Sequence, residues 1–202
     1  MLLIRDNSSR YGLVSQSLHW GMAAGIIALF AMGWWMVRLD YYDYYYTRAP
    51  ALHRSTGMVI LFALLLRIAW RLTSIKPVRP GLTPFELKAS RIVHFAFYPL
   101  LLCLMLSGYL ISTADGRPID VFGWFEVPAL MQNKSLSDAA GPLHRWIAYG
   151  LMGLTALHAS AAIRHALAHH RAQPRSSKLS LHLDRPLPLD HPLSLDRRSD
   201  AQ

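Results

Sequence analysis

The sequence has 202 residues, of which 52% are hydrophobic and only 16% are charged. This composition is too apolar for an ordinary soluble domain, and it indicates a protein whose solvent is lipid. The formal net charge of +9 does not indicate nucleic-acid binding, because aromatic and apolar residues fill the spaces between the basic ones. The single cysteine, Cys103, excludes an internal disulfide and any cysteine-rich metal or iron–sulfur site.

Four apolar segments each approach the length of about 20 residues that a transmembrane helix needs. The first contains no charged residue, and its length, with Trp34 and Trp35 near its end, argues against a cleaved signal peptide. The four segments cover roughly residues 18–37, 51–70, 92–112 and 142–163. We therefore predict an all-α membrane protein built as a four-helix transmembrane bundle.

The third helix is predicted to begin well before its apolar run. Thr83, Pro84 and Glu86 form a T-P-x-E pattern, in which Thr is the N-cap, Pro occupies the first turn and Glu completes a capping box. Pro99 lies inside the same span, and we expect it to kink the helix, as membrane helices tolerate where neighbours satisfy the freed carbonyl.

The charges of the connecting segments predict the orientation, because cytoplasmic loops near the membrane are enriched in Lys and Arg. Residues 67–91 carry six basic residues against one acidic residue, a net charge of +5, which predicts a cytoplasmic loop. Residues 112–143 carry two basic residues against four acidic ones, a net charge of −2, which predicts an outer loop. The tyrosine-rich segment 41–46 lies on the same outer side, so both termini are predicted to be cytoplasmic.

The C-terminal residues differ in composition from the rest of the chain. The units Leu-Asp-Arg-Pro-Leu at 183–187 and Leu-Asp-His-Pro-Leu at 189–193 contain prolines too frequently for a helix, and they have no core to pack against. We predict a bundle domain over residues 1–171 and a disordered cytoplasmic tail over residues 172–202.

Half of the ten histidines fall within the predicted spans or at their ends, namely His19, His53, His94, His144 and His158. Ionisable side chains at membrane depth are costly and by default mark function. A single such histidine is just as typical of a hydrogen bond to a neighbouring helix. The interpretation therefore depends on how the five are arranged.

His144 and His158 lie 14 residues apart on the fourth helix. At about 100° and about 1.5 Å per residue they point to nearly the same face, about 21 Å apart along the axis. One helix can therefore serve two stacked sites, one near each membrane surface. By depth, His53 pairs with His144 on the outer side, and His19 pairs with His158 on the cytoplasmic side. Two bis-imidazole sites in a four-helix bundle suit haem, for which neutral imidazole is a standard ligand.

His94 complicates this pairing, because a helix beginning near Pro84 places it at a depth similar to that of His19 and His158. Spacing alone leaves three interpretations open: an iron ligand, a hydrogen-bonded interior histidine or a quinone-site residue.

A further group, His165, His169 and His170, forms an H-x-x-x-H-H pattern like that of membrane di-iron oxygenases. Such centres need several histidine boxes, and this sequence offers one. We interpret the group as the solvated, basic end of a helix, with His165 as a second candidate for a quinone site.

Arg54 and Arg145 each follow a proposed ligand, and a guanidinium at that place can hold a haem propionate by two hydrogen bonds. The alternative is ordinary snorkelling to the membrane surface. We favour propionate contact, and we interpret Arg67 and Arg71 at the cytoplasmic side in the same way. Glycines within the spans either clear space for a porphyrin or serve plain helix packing; these are Gly25, Gly57, Gly108 and Gly150.

The stretch R-Y-x-x-x-S-Q-S-L-H-W from Arg10 to Trp20 resembles the opening of bacterial cytochrome b561 proteins. The resemblance continues with L-H-R-S-T-G at 52–57, with V-H at 93–94 followed by Tyr98, and with the 14-residue histidine spacing of the fourth helix. It covers residues 10 to about 170 and leaves out the tail.

This resemblance implies a four-helix cytochrome that binds two haems b, with His19, His53, His144 and His158 as the ligands and His94 as a non-ligand. It also implies a place in the bacterial inner membrane and electron exchange with ubiquinone. Some members of this family are similar to superoxide oxidases, which take electrons from external superoxide. The loop charges, about +1 for residues 38–54 and −2 for 112–143, give no clear outer field to steer an anion.

Three functional hypotheses follow. In the first, electrons pass between a periplasmic one-electron donor, with superoxide as one candidate, and the quinone pool. In the second, the chain is the cytochrome b membrane anchor of a periplasmic dehydrogenase or reductase and has no catalysis of its own. In the third, it is a haem-free transporter or scaffold, which a pyridine haemochrome spectrum lacking b-type haem would support.

Overall fold

The computed structural model describes residues 4–77 and 83–172, with the side chains of 169–172 excepted. The chain divides into two units, Met1–His158 and Ala159–Gln202. The described elements are α1 (Leu13–Met36), α2 (Arg48–Thr73), α3 (Pro84–Thr113), β1 (Ile119–Val121), β2 (Phe125–Val127) and α4 (Lys134–Ala172). The predicted tail, apart from Ala172 at the end of α4, lies outside the described residues.

Each of these four helices is long enough and apolar enough to cross a membrane. Large apolar side chains in the middle of the helices face outward, with Phe62 70%, Phe95 75% and Leu157 71% exposed. An apolar surface of this kind is the reverse of that of a soluble protein, and it marks a face that lipid covers. The predicted four-helix transmembrane bundle is confirmed.

The core of the bundle is a small aliphatic cluster to which all four helices contribute: Met22, Leu64, Leu101, Leu104 and Leu151. Leu64 and Leu151 are almost fully buried. Leu151 lies seven residues from both His144 and His158, or about 10 Å from each along α4. The apolar core therefore separates the two depths at which the histidines lie.

The helices extend beyond the apolar runs, because backbone hydrogen bonding continues past the bilayer-embedded part. Thus α1 begins at Leu13, and α4 begins at Lys134 and contains Pro142. The capping box of α3 is confirmed: the Glu86 amide donates to Thr83 Oγ1 at 3.3 Å, and the Thr83 amide donates to the Glu86 carboxylate at 2.9 Å.

A two-stranded antiparallel hairpin, which the sequence analysis did not predict, lies between α3 and α4. Its turn has positive φ at both Phe122 and Gly123, 55° and 72°. The hairpin is fixed to α2, because Val121 is fully buried and the Ser55 hydroxyl donates to the Asp120 carbonyl at 2.9 Å. This contact lies two residues from His53, at the end of α2 that carries the candidate site.

The start of α1 is tied to the end of α2 by a short polar network. The Asp6 carboxylate accepts from the Gly12 amide and from the Ser15 hydroxyl, each at 2.7 Å. The Trp70 indole N–H in turn donates to Ser15 Oγ at 3.0 Å. These bonds fix the first turn of α1 against α2. His19 lies farther along the same helix.

Candidate cofactor-binding site

His53 on α2 and His144 on α4 face each other at one end of the bundle, with their ring centroids 6.3 Å apart. Both line a cavity of about 900 Å³ between the four helices. This volume lies near the upper end of the range of ligand pockets. The structure therefore brings together the pair that depth alone predicted.

The separation of these two rings can be compared with what a shared iron requires. An iron bound at about 2 Å by each imidazole nitrogen, with each ring centroid roughly 1 Å behind its nitrogen, separates the centroids by about 6 Å. The observed 6.3 Å between His53 and His144 fits this value. Among the described residues no group of three or more His, Cys, Asp or Glu side chains is placed to hold a metal ion. A metal on two histidines needs further donors, and a porphyrin supplies four.

The orientation of His144 is set by α3. Its Nδ1 lies 2.9 Å from the Leu104 carbonyl and 3.1 Å from the Ser107 hydroxyl. A carbonyl only accepts, so Nδ1 carries the proton and Nε2 keeps a free lone pair. This is the tautomer that an iron ligand needs, with the backbone contact that typically orients one.

His53 differs, because its buried Nδ1 has no hydrogen-bond partner in the described part of the chain. Its position is defined by packing: a Cβ on Gly33 of α1 would lie 3.2 Å from the Cε1 atom of His53. In the same way, a Cβ on Gly108 of α3 would lie 3.1 Å from Cε1 of His144. Each imidazole thus rests against a glycine of a neighbouring helix, and a side chain there would require the ring to shift.

Arg54 and Arg145 also line the cavity. Within residues 4–77 and 83–168 neither guanidinium forms an ion pair; the ion pair found there joins Arg117 to Asp115. Lys134, Asp115 and Asp138 line the same cavity. Guanidiniums beside the cavity suit the carboxylates of a haem, whose propionates a guanidinium can bind through two hydrogen bonds.

The other predicted pair lies in a cluster of three histidines. The rings of His94 and His158 are in contact, 5.0 Å apart at 89°. His19 interacts electrostatically with both of them and with Arg67. His19, His94 and His158 therefore lie within electrostatic reach of one another, and the ring contact in this cluster joins His94 to His158.

Each of the four helices carries two site residues that lie 14 positions apart in the sequence. These residues form two layers. The first layer, here called the His53 layer, contains Gly33, His53, Gly108 and His144, and the second, the His158 layer, contains His19, Arg67, His94 and His158. Sequence reasoning missed Gly33, although the signal was available: Gly33 follows His19 by the same 14 residues that separate His144 from His158.

The remaining predicted residues have other surroundings. The Arg71 guanidinium lies over the Tyr11 ring, 5.5 Å from its centroid. Gly25 faces Ile60 and serves helix packing, since a Cβ there would lie 2.6 Å from Ile60 Cδ1. Gly57 lines the cavity, whereas Gly150 faces open space.

His165 lies on α4 in the second unit, and the side chains of His169 and His170 lie outside the described residues.

Comparison with known proteins gives a family and a relative that this chain resembles. The family model described as prokaryotic cytochrome b561 matches residues 10–175. The protein named cytochrome b561 homolog 2 of Escherichia coli (strain K12) is 44% identical over 162 residues, which cover 79% of this chain and 86% of that protein.

Proposed function

The chain belongs to the prokaryotic cytochrome b561 family, and from this premise we propose that it transfers electrons between a periplasmic one-electron donor and the quinone pool through two haems b. As a member of the family it is a multi-pass b-type cytochrome of the bacterial inner membrane. The number of haems, the donor and ubiquinone as acceptor are the proposal. When bound by the histidines of the candidate site, a haem would supply one-electron chemistry.

The observation that carries the proposal is the His53–His144 pair in its cavity. The 6.3 Å ring separation, the Nδ1–H tautomer of His144 and the guanidiniums of Arg54 and Arg145, which form no ion pair in the described part of the chain, together suit one haem. Ser107 and Leu104 hold the His144 ring, while Gly33 and Gly108 permit the rings to stand where they do.

The proposed second haem lies between His19 and His158. Its support is the cluster of the His158 layer and the separation of about 21 Å along α4 from the first site. The aliphatic core lies between the two proposed haem positions.

We propose that the His53 layer faces the periplasm and the His158 layer the cytoplasm, as the loop charges predict. Superoxide is one candidate donor, although the charges of the two outer loops provide no general field for an anion. Arg54, Arg145 and Lys134 are cations that line the cavity at that side. His94 and His165 remain candidates for a quinone site.

The test is quinone reduction by the purified chain alone in lipid nanodiscs, with a superoxide-generating system as donor and a short-chain ubiquinone as acceptor. The proposal expects reduction of b-type haem followed by its reoxidation when the quinone is added. The alternative, a membrane anchor without catalysis of its own, expects an inert chain that co-purifies with a periplasmic redox subunit.

A further inference from the structure

His94 contacts a proposed haem ligand without being assigned as one. Its ring centroid lies 5.0 Å from that of His158, closer than the roughly 6 Å that an iron between two imidazoles requires. His94 Nδ1 lies 2.5 Å from the Ser90 carbonyl, so it donates its proton there and the ring is held against its own helix. The two rings thus touch edge to face. In this arrangement His158 is the proposed ligand and His94 packs against its ring.

The His53 layer contains the counterpart of this contact. Gly108 lies 14 residues after His94 on α3 and packs against the His144 ring, as His94 packs against the His158 ring. In both layers the contact runs from α3 to the ligand on α4. The proposed assignment gives α3 no ligand in either layer.

A second ring of α3 contacts His158 as well. The centroid of Phe97, one turn after His94, lies 5.6 Å from that of His158 at 80°. Two side chains on one face of α3 therefore contact the His158 imidazole, just as the Leu104 carbonyl and Ser107 hydroxyl, one turn apart, contact that of His144.

We propose that α3 orients the proposed haem ligands of α4 and that His94 is a positioning residue for the His158 imidazole. This inference rests on the two-haem function proposed above. The contact with His94 sets the plane of the ring, and the plane and basicity of an axial imidazole help to determine the potential and the ferric spectrum of its haem. His94 then influences one haem and leaves the other unchanged.

The experiment compares three variants of the full-length purified protein: His94→Ala, His94→Phe and, as the control, Phe95→Ala. Phe95 is the next residue of α3 and faces outward. Haem content, the low-spin ferric signals in electron paramagnetic resonance and the two midpoint potentials are measured. We expect both haems to be retained in all three variants. In His94→Ala one ferric signal and one midpoint potential shift, in His94→Phe the aromatic contact restores most of that shift, and Phe95→Ala matches the parent.

Two results would overturn the inference. One is an unchanged pair of ferric signals in His94→Ala. The other is loss of one haem in His94→Ala while His158→Ala keeps both, which would make His94 the ligand and leave two-haem electron transfer intact. If His94→Ala does not fold, His94→Leu replaces it under the same criteria. Failure of the proposed function is distinct, since it appears as a parent protein with fewer than two haems or no reaction with quinone.

Discussion

The imidazoles of His53 and His144 each rest against a glycine of a neighbouring helix. The clearance is narrow: a Cβ at Gly33 or Gly108 would lie 3.2 Å or 3.1 Å from the facing ring carbon. Ordinary van der Waals contact between carbons begins at about 3.5 Å. A side chain at either position would therefore require the facing ring to shift from where it stands, with the two ring centroids 6.3 Å apart.

We expect Gly33→Ala to weaken binding of the haem at the His53 layer, because the His53 ring must shift to accommodate the new methyl group. Changes in the contacts that orient a metal ligand typically cost about 10-fold or more in affinity. The measurement is the rate of haem transfer to an excess of apomyoglobin. Gly21→Ala on the same helix is the matched control, since a Cβ there meets no described atom within 4 Å. Equal transfer rates in the two variants would contradict the account.

At the scale of helices and strands, local signals in the sequence predicted most of what the structure shows. Hydropathy predicted the four spans and the T-P-x-E pattern predicted where α3 begins, because both depend on neighbouring residues. The hairpin escaped prediction because it depends on positive φ at Phe122, an unusual place for an aromatic residue, and on docking against α2. Strands of three residues carry too little alternation to be seen.

The same limit applies to the candidate site. Depth and the 14-residue repeat predicted that His53 pairs with His144 and that His158 pairs with His19, since depth and spacing follow from helix geometry. Which side chain of α3 touches which ligand does not follow from spacing along one helix. The contact between His94 and His158 depends on how α3 and α4 pack, and that is a property of the tertiary structure.

Loss of the α3 cap should lower the stability of the whole bundle by a modest amount. Thr83→Ala removes the hydroxyl that accepts from the Glu86 amide, at a cost of about 1 kcal/mol, which corresponds to a fall in Tm of about 2–4 °C for a chain of this size. Tm is followed through the haem absorbance on heating. Thr73→Ala is the control, because within the described residues its hydroxyl bonds to carbonyls of its own helix. A Tm equal to that of the control would show that the cap contributes nothing.

At the scale of the whole molecule, two layers of side chains lie on either side of an aliphatic core. Leu64 and Leu151 occupy that core and are almost fully buried. The layers differ in chemistry: glycines accompany the histidines of the His53 layer, whereas Arg67 and His94 accompany those of the His158 layer.

The proposed orientation can be tested with single cysteines placed in the two loops after Cys103→Ala. We expect Asn133→Cys, in the loop before α4, to react with a membrane-impermeant maleimide in intact cells. Ser74→Cys, at the end of α2, should react only after the membrane is permeabilised, because the +5 loop that follows is expected in the cytoplasm. The opposite labelling pattern would place the His53 layer on the cytoplasmic side.

The most direct measurement of the central claim is the haem content of His19→Ala, His53→Ala, His144→Ala and His158→Ala, with His94→Ala beside them. Each of the four variants should fall from two haems per chain to one by the pyridine haemochrome assay, and His94→Ala should keep both. Retention of two haems in His53→Ala or His144→Ala would contradict the account, because no other described histidine lies in that layer to replace the missing ligand.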